Sequence, residues 1–501
     1  MDTPRWVTDS VFYQIFPDRF AQSARLEKQG LHLEAWESPP THHGFKGGDL
    51  FGVLEHLDYL QDLGINAIYL NPVFASASNH RYHTYDYFNV DPILGGNGAL
   101  RELLDQAHSR NMHVVLDGVF NHASRGFWQF HHTLENRGAS PYVDWFHFAA
   151  DRLDGRRQWV AYPTDEEQDA AHREGSLRTI GYQAWWDLAA LPKFNTTIAA
   201  VREFIFSVAE YWIKFGIDGW RLDVPGEIDD DSFWREFRRR VRAANPDAYL
   251  VGEIWHDGGR WLQGDQFDAS MNYPVTAACI GFFTGRHLNL DEALRASGFR
   301  GQLDRMDART FADRLDRCLS LYAPEVTRVQ LTPLDTHDTP RFLACANGDV
   351  PSLRLALQFL MTYPGAPCIF YGDEIGLSGG HDPDCRQPFL WSEDAWNHDL
   401  RSLTQDLIKL RYSRRSLRWG GFRRLLAEND TYAFGRELDG ERTAIALNAG
   451  EEPAVLQLGS HFAAAARTTI LQGEAEILQG SPLTLKVPRR AGVIFAADVA
   501  P

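Results

Sequence analysis

Two carboxylates, Asp223 in GWRLDVPGE and Glu253 in VGEIWHD, stand thirty positions apart, each at the end of a short apolar run. Asp117 closes HVVLD and Asp338 closes VQLTPLDTHD in the same way. An apolar run of this length bounded by turn residues reads as a fully buried parallel strand. In an α/β barrel the chemistry sits at the C-terminal ends of such strands. Two carboxylates astride a glycosidic bond can cleave it: one attacks the anomeric carbon, and the other protonates the leaving oxygen and later activates water. A separation of about 5–5.5 Å gives retention of configuration, and a wider one inversion. A single buried acid is more often an ion-paired or capping group. Four acids at the same strand-end position argue instead for a shared acid–base site.

Arg221 lies two residues before Asp223, which on a strand places both side chains on one face. A guanidinium there favours the ionised form of the carboxylate. His122 follows Phe-Asn after the third strand, and His337 immediately precedes Asp338. A lone histidine is usually structural, but these two flank the acids and could donate to sugar hydroxyls.

Eight strands are expected to position these groups: VFYQIF (11–16), INAIYL (65–70), HVVLD (113–117), DGWRLD (218–223), AYLVGE (248–253), FDASM (267–271), VQLTPLD (329–335) and PCIFY (367–371). Helical spacing between them, as in 54–64 and 99–111, predicts an α/β fold, a (β/α)8 TIM barrel. The barrel is expected over 1–121 and 186–417, with an inserted subdomain at 122–185, where His, Trp, Asp and Gly are frequent and periodicity is lost. From 418 to 501, TYAFGREL, RTAIALNA, AVLQLG, RTTILQG and GVIFAAD alternate between turns, which predicts a C-terminal antiparallel β-sandwich.

With 501 residues, 44% of them hydrophobic, the chain can bury a large core. A net charge of −17 argues against nucleic acid and anionic membranes as partners. The 15 Trp, 17 Tyr and 31 Phe supply flat rings, most of them core but some suited to sugar faces. Five cysteines without CxxC spacing read as reduced thiols. The N-terminus carries no signal-peptide pattern, and no apolar stretch approaches the ~20 residues of a membrane span. A cytoplasmic location is the expectation. His42–His43 and His131–His132 lack zinc-site spacing, no phosphate-binding or dinucleotide loop is present, and NTT at 195–197 has no secretory context.

DGVFNH (117–122), GWRLDVPGE (219–227), GEIW (252–255) and DTHD (335–338) resemble the four signature regions of the α-amylase family, glycoside hydrolase family 13. GINAIYLNPVF (64–74) and GAPCIFYGDEIG (365–376) extend the likeness. The resemblance implies Asp223 as nucleophile, Glu253 as acid/base and Asp338 as the third acid gripping sugar hydroxyls. It further implies substrate-binding roles for Tyr82, Asp117, His122, Arg221, His337 and Arg341, with Asn121 beside them and Tyr82 stacking under the reacting glucose. LPKFN (191–195) and DPDCRQP are similar to the neopullulanase, cyclomaltodextrinase and maltogenic amylase group. That likeness implies a retaining enzyme acting on α-1,4 and α-1,6 bonds of maltooligosaccharides, cyclodextrins, pullulan or branched glucans. A debranching enzyme or a transglycosylase is the alternative.

Three departures bear on this expectation. The chain begins at the first barrel strand, without the group's N-terminal β-domain, so monomer and dimer are both open. DRFAQSARLEKQ replaces a calcium-binding Asn/Asp/Gly loop and offers few oxygen ligands, which leaves Asp49 as an orphan of that site. No metal and no cofactor is therefore expected. Finally, VPGE stands where VANE is usual and His83 where an aspartate is common, which leaves linkage preference open and argues against a strict exo-glucosidase.

Overall fold

The structure, a computed structural model, describes residues 2–458, 469–480 and 482–497. Eight parallel strands form its centre: β1 (Phe12–Ile15), β2 (Ala67–Leu70), β3 (His113–Gly118), β4 (Gly219–Leu222), β5 (Tyr249–Gly252), β6 (Ala269–Ser270), β7 (Leu331–Pro333) and β8 (Ala366–Phe370). Their hydrogen-bonded order is β6-β5-β4-β3-β2-β1-β8-β7. A parallel bridge from Met271 to Leu331, with Asn272 N–H donating to the Leu331 carbonyl at 2.7 Å, joins the two ends and closes the barrel. Each expected strand is present; six are shortened, the third runs one residue further to Gly118, and the eighth is shifted back by one residue. The register pairs Asp117 with Arg221, and Arg221 with Val251, which sets the key guanidinium between the third and fifth strands.

The connecting helices follow from their apolar stripes. Helix Asp231–Ala244 buries Phe233, Trp234, Phe237 and Val241, and Asp230 caps it by accepting from the Ser232 and Phe233 amides. The helical pattern at 54–64 is two helices, Leu50–Glu55 and Leu57–Leu63, broken at His56. The second stops at Gly64, whose φ of 96° is the left-handed region glycine enters without strain.

Between β3 and β4 the chain makes a long excursion containing helices Trp128–Asn136, Asp165–Glu174 and Ala199–Phe215. Thr164 and Glu167 form a capping box on the second of these. Phe127, Phe130, Phe146, Tyr182 and Phe194 are buried and bind the excursion together through edge-to-face contacts. A hairpin, Phe74–Ser76 with Thr84–Val90, was not expected; its strand pairing is irregular, and its connecting loop carries Tyr82.

The C-terminal region holds two antiparallel sheets. With β9 (Gly421–Glu428), β10 (Thr431–Leu438), β11 (Glu441–Asn448), β12 (Ala454–Leu458), β13 (Thr469–Gly473), β14 (Glu476–Gly480), β15 (Leu483–Val487) and β16 (Ala491–Ala496), the sheets run β9-β10-β11-β16-β13 and β12-β15-β14. Strands β9, β14 and β15 go beyond the five expected segments. Gly459, Arg467, Thr468 and Asp498 of those segments lie outside the described residues. Leu456, Leu485, Val493 and Phe495 pack between the sheets.

Candidate active site

Arg221 is the hub. Its Nη1 donates to Asp117 Oδ1 at 2.8 Å and to Asp223 Oδ1 at 3.0 Å, and its Nη2 lies 3.0 Å from Glu253 Oε2. Adjacent strands bring these groups together: β3 delivers Asp117, β4 Arg221 and Asp223, and β5 Glu253. Asp223 Oδ2 is buried and has no hydrogen-bond partner among the described residues. Glu253 is more fully held. Val224 N–H donates to Oε2 at 3.0 Å, and the Trp255 indole donates to Oε1 at 3.0 Å. Val224 itself has φ 37° and ψ 52°, a left-handed conformation that is costly for a β-branched residue.

A second hydrogen-bonded chain runs beside the hub. Gln14 on β1 donates from Nε2 to His337 Nδ1 at 2.9 Å and to Asn71 Oδ1 at 3.0 Å. With Nδ1 accepting, His337 carries its proton on Nε2, which lies 2.5 Å from the Tyr82 hydroxyl and 3.1 Å from Asp338 Oδ2. Tyr82 O–H donates to Asp117 Oδ2 at 2.8 Å, which links this chain to the hub. The Tyr82 ring lies parallel to the His337 ring. His122 is fully buried, with Nε2 unpartnered among the described residues and its ring stacked on Trp185.

The cavity above has a volume of about 790 Å³ and is lined by Tyr82, Asp223, Glu253 and Asp338, with Trp185, Trp186, Trp255, His83 and Arg386 around them. Asp117, His122, Arg221 and His337 are buried beneath this lining. Arg341 corrects an expectation. It does not line the cavity; its buried guanidinium pairs with Asp373 at 3.0 Å, donates to the Cys385 carbonyl at 2.9 Å and lies over the Phe370 ring. The arginine beside the acids is Arg386, whose Nη2 reaches Asp338 Oδ1 at 3.3 Å while its Nε donates to the His337 carbonyl at 2.8 Å. Arg341 caps a short helix, and its guanidinium is taken up by Phe370, Tyr371 and Asp373 at the end of β8, whereas that of Arg386 reaches Asp338.

Burial pushes the Asp223 carboxyl well above its ordinary range; the Arg221 guanidinium opposes this, while Glu253, Asp117 and Asp338 add to it. The expected role of Arg221 in keeping Asp223 ionised is thus opposed by its surroundings. Burial also raises Asp338 to about 7, helped by Glu253 and resisted by Arg386 and Arg221. Asp117 beside them is raised as well, chiefly by burial and against the pull of Arg221, so three neighbouring aspartates share the same upward shift. The histidines are the reverse: burial lowers His122 to about 3 and His83 to about 4, so both are neutral imidazoles near pH 7.

Asp49 is a helix cap rather than an open ligand. It accepts from Gly52 N–H at 2.8 Å and Ser23 N–H at 3.0 Å, and Lys28 pairs with it. This donor set already balances the carboxylate with an ammonium and does not suit a hard cation. Gln14, Asn71, Trp255 and Arg386 join the site without having been singled out as site residues. Arg386, inside DPDCRQP, Trp255, inside GEIW, and Asn71, inside GINAIYLNPVF, had a sequence signal; Gln14 had none.

A closed parallel barrel with acids gathered at its C-terminal strand ends defines the class, an α/β-barrel enzyme of acid–base chemistry. A family model described as the alpha amylase catalytic domain matches residues 14–424. The chain is 39% identical to a cyclomaltodextrinase of Geobacillus thermopakistaniensis over 99% of its own length and 78% of that protein's. It is 40% identical to neopullulanase 2 of Thermoactinomyces vulgaris over 91% of its own length and 72% of that protein's. The debranching enzyme of Nostoc punctiforme in its native form superposes with a TM-score of 0.87 at 44% identity, covering 99% of each chain. The chain belongs to the alpha-amylase family and is a glycoside hydrolase of α-glucans. Among the described residues, no helix is long and apolar enough to cross a membrane, and no group of three or more His, Cys, Asp or Glu side chains could hold a metal ion.

Proposed function

We propose that this enzyme hydrolyses α-1,4 and α-1,6 glucosidic bonds of maltooligosaccharides, cyclodextrins, pullulan or branched glucans with retention of configuration. The observation that carries this reading is the shared guanidinium. Arg221 Nη1 donates to Asp223 at 3.0 Å and its Nη2 lies 3.0 Å from Glu253, so one guanidinium gathers both carboxylates at the cavity they line. Two carboxylates gathered in this way supply the nucleophile and the acid/base that a retaining mechanism uses.

In this mechanism Asp223 Oδ2 bonds to the anomeric carbon as the bond to the leaving oxygen breaks, and the proton of Glu253 passes to that oxygen. Water then gives a proton to Glu253 and attacks the same carbon, releasing Asp223. The partnerless Oδ2 supports the first role. Asp338 grips the sugar hydroxyls, Tyr82 stacks under the ring, and Asp117, His122, Arg221 and His337 set the floor. Catalysis falls to the barrel (1–121 and 186–417), with 122–185 walling the cleft and 418–501 bracing it. Five unpaired cysteines support a reducing, cytoplasmic setting.

A second reading, a debranching enzyme, is favoured by the end-to-end match to the Nostoc protein. Maltoheptaose, β-cyclodextrin, pullulan and amylopectin, digested side by side, separate the two. Rapid opening of the cyclodextrin supports the first; linear chains from amylopectin with the cyclodextrin intact support the second. A first-formed β-anomer, seen by NMR, overturns retention.

A further inference from the structure

The Trp255 indole that donates to Glu253 is boxed in. On one face the Tyr273 ring stacks on it at 3.7 Å between centroids, with only 3° between planes. Tyr273 is fully buried at the start of helix Tyr273–Phe283 and is packed on all sides. On the other face lies Gly298, in the short turn Ser297–Phe299. A Cβ on Gly298 would meet Trp255 Cε3 at 2.1 Å, Cδ2 at 2.4 Å and Cζ3 at 2.8 Å. The fit therefore requires glycine, for space and not for backbone conformation. Phe299, fully buried, closes the box edge-on against Trp255 at 5.4 Å. Gln302 ties the two sides together: its Nε2 donates to the Trp255 carbonyl and to the Gly298 carbonyl, each at 2.9 Å.

We propose that Gly298 and Trp255 are positioning residues for the acid/base: the glycine lets the turn close on the indole, and the clamped indole fixes the Glu253 carboxyl toward the leaving oxygen. The inference rests on the reading of Glu253 as acid/base. An indole free to tilt would lose its hydrogen bond to Oε1, leaving that oxygen to rotate away from the bond being cleaved. Geometry within about 0.5 Å matters for such a group. The clamp comes from the connection between β6 and β7, with Tyr273 20 and Gly298 45 residues beyond Glu253, so it acts from outside every motif that carries the acids.

The test compares two substrates through kcat/KM, which reports the first, bond-breaking step. Maltoheptaose needs a proton on its leaving oxygen; 2,4-dinitrophenyl α-maltoside, with a stable phenolate, does not. Gly298→Ala and Trp255→Phe are each expected to lower kcat/KM on maltoheptaose at least about tenfold, a part of the 10²–10⁴-fold that general acid catalysis supplies. Each should lose much less on the aryl maltoside, so that the ratio of the two kcat/KM values shifts at least about fivefold. The double variant should be no worse than Trp255→Phe alone, because the glycine acts through the indole. Equal losses on both substrates, or additive losses in the double variant, would overturn the clamp. Thermal unfolding of each variant shows whether it folds, and Trp255→Phe, which adds no bulk, carries the test if Gly298→Ala does not. Glu253→Gln is the control. If it spares the aryl maltoside while the clamp variants do not, the clamp alone falls; if it slows both substrates equally, the acid/base reading falls and takes the clamp with it.

Discussion

Strand β4 is flanked by two aspartates, Asp218 before it and Asp223 after it, and the barrel treats them oppositely. Asp218, at the N-terminal end, accepts from His108 Nε2 at 2.8 Å, His113 Nδ1 at 3.0 Å and Val114 N–H at 2.7 Å. Burial works against its charge, yet hydrogen bonds from His108 and His113 hold it down to about 2. Asp223, at the C-terminal end, shares a single guanidinium with three other acids, keeps one oxygen unpartnered among the described residues and is pushed upward by burial. One end of the barrel uses a carboxylate to hold strands together; the other keeps one under-satisfied, where it can bond to something else. Strain collects at the same end, in the left-handed backbone of Val224.

If that contrast is right, Asp223→Asn should give the largest change in activity and the smallest loss of stability. A reduction in kcat of about 10⁴–10⁶-fold is expected for removal of a nucleophile. The melting temperature should stay equal or rise, because a like charge leaves a crowded cluster. A folded variant with a tenth of wild-type turnover would break the comparison at once.

Arg341→Met sharpens it, because Arg341 sits near the active end but belongs with the structural groups. It stands between Asp373 and the buried Asp335, and removing it leaves charge without its counterion. The expected cost is about 3–5 kcal/mol of stability. Urea unfolding measures it, and the KM for maltoheptaose should hold while the protein is folded. Arg386→Ala is the converse, raising KM with a smaller loss of stability.

Asp338→Asn ranks next, with a loss of about 10²–10³-fold in kcat. It carries a pH signature. Because the folded-state value of about 7 lies above the ordinary aspartate value of 3.8, the folded protein binds the extra proton between them. Wild-type stability therefore falls as pH rises from about 4 through 7 on account of this group. The variant lacks that slope, so the two stability curves should diverge in its favour between about pH 4 and 7 and keep a constant gap above that. Parallel curves would show that Asp338 is ionised throughout.

The strands and the acids on them were legible in the sequence for a physical reason. A strand buried on both faces must be apolar along its whole length, so β3, β4 and β5 stand out as runs, and a carboxylate ending such a run has few structural explanations. Arg221 was legible by the two-residue period. What lay hidden were the groups that reach the site from elsewhere. Gln14 is one polar residue inside an apolar strand, with nothing in VFYQIF to say that it faces His337. Gly298 is a glycine in a turn, and its value lies in a methyl group that would collide with a ring 43 positions away in sequence. Arg341 misled because DTPR follows the acid directly, whereas Arg386, 48 positions past Asp338, makes the contact. Sequence proximity to a motif is not proximity to its chemistry. The irregular pairing of the Phe74–Ser76 hairpin likewise blurred the period-two signal that would have announced it.

The smallest expected effect tests the opposite end of β4. Asp218→Asn keeps the side chain's shape but removes the charge that two histidines and an amide address. Asp218 lowered to about 2 against 3.8 contributes stability that is present above pH 4 and is lost as pH falls toward 2, about 2 kcal/mol in all. His108, raised chiefly by its hydrogen bond to Asp218, works with the other sign, since its contribution is present at low pH and is lost as pH rises through its raised value. The two overlap in mildly acidic solution, so the variant's deficit in urea unfolding should be greatest near pH 5–6, shrink below pH 4 and shrink again toward alkaline pH. The kcat/KM on maltoheptaose should stay at the wild-type value throughout, because the substitution lies a full strand's length from the cavity. A deficit independent of pH would mean that the Asp218 contacts act by shape alone, and a loss of turnover would mean that the two ends of the strand are coupled after all.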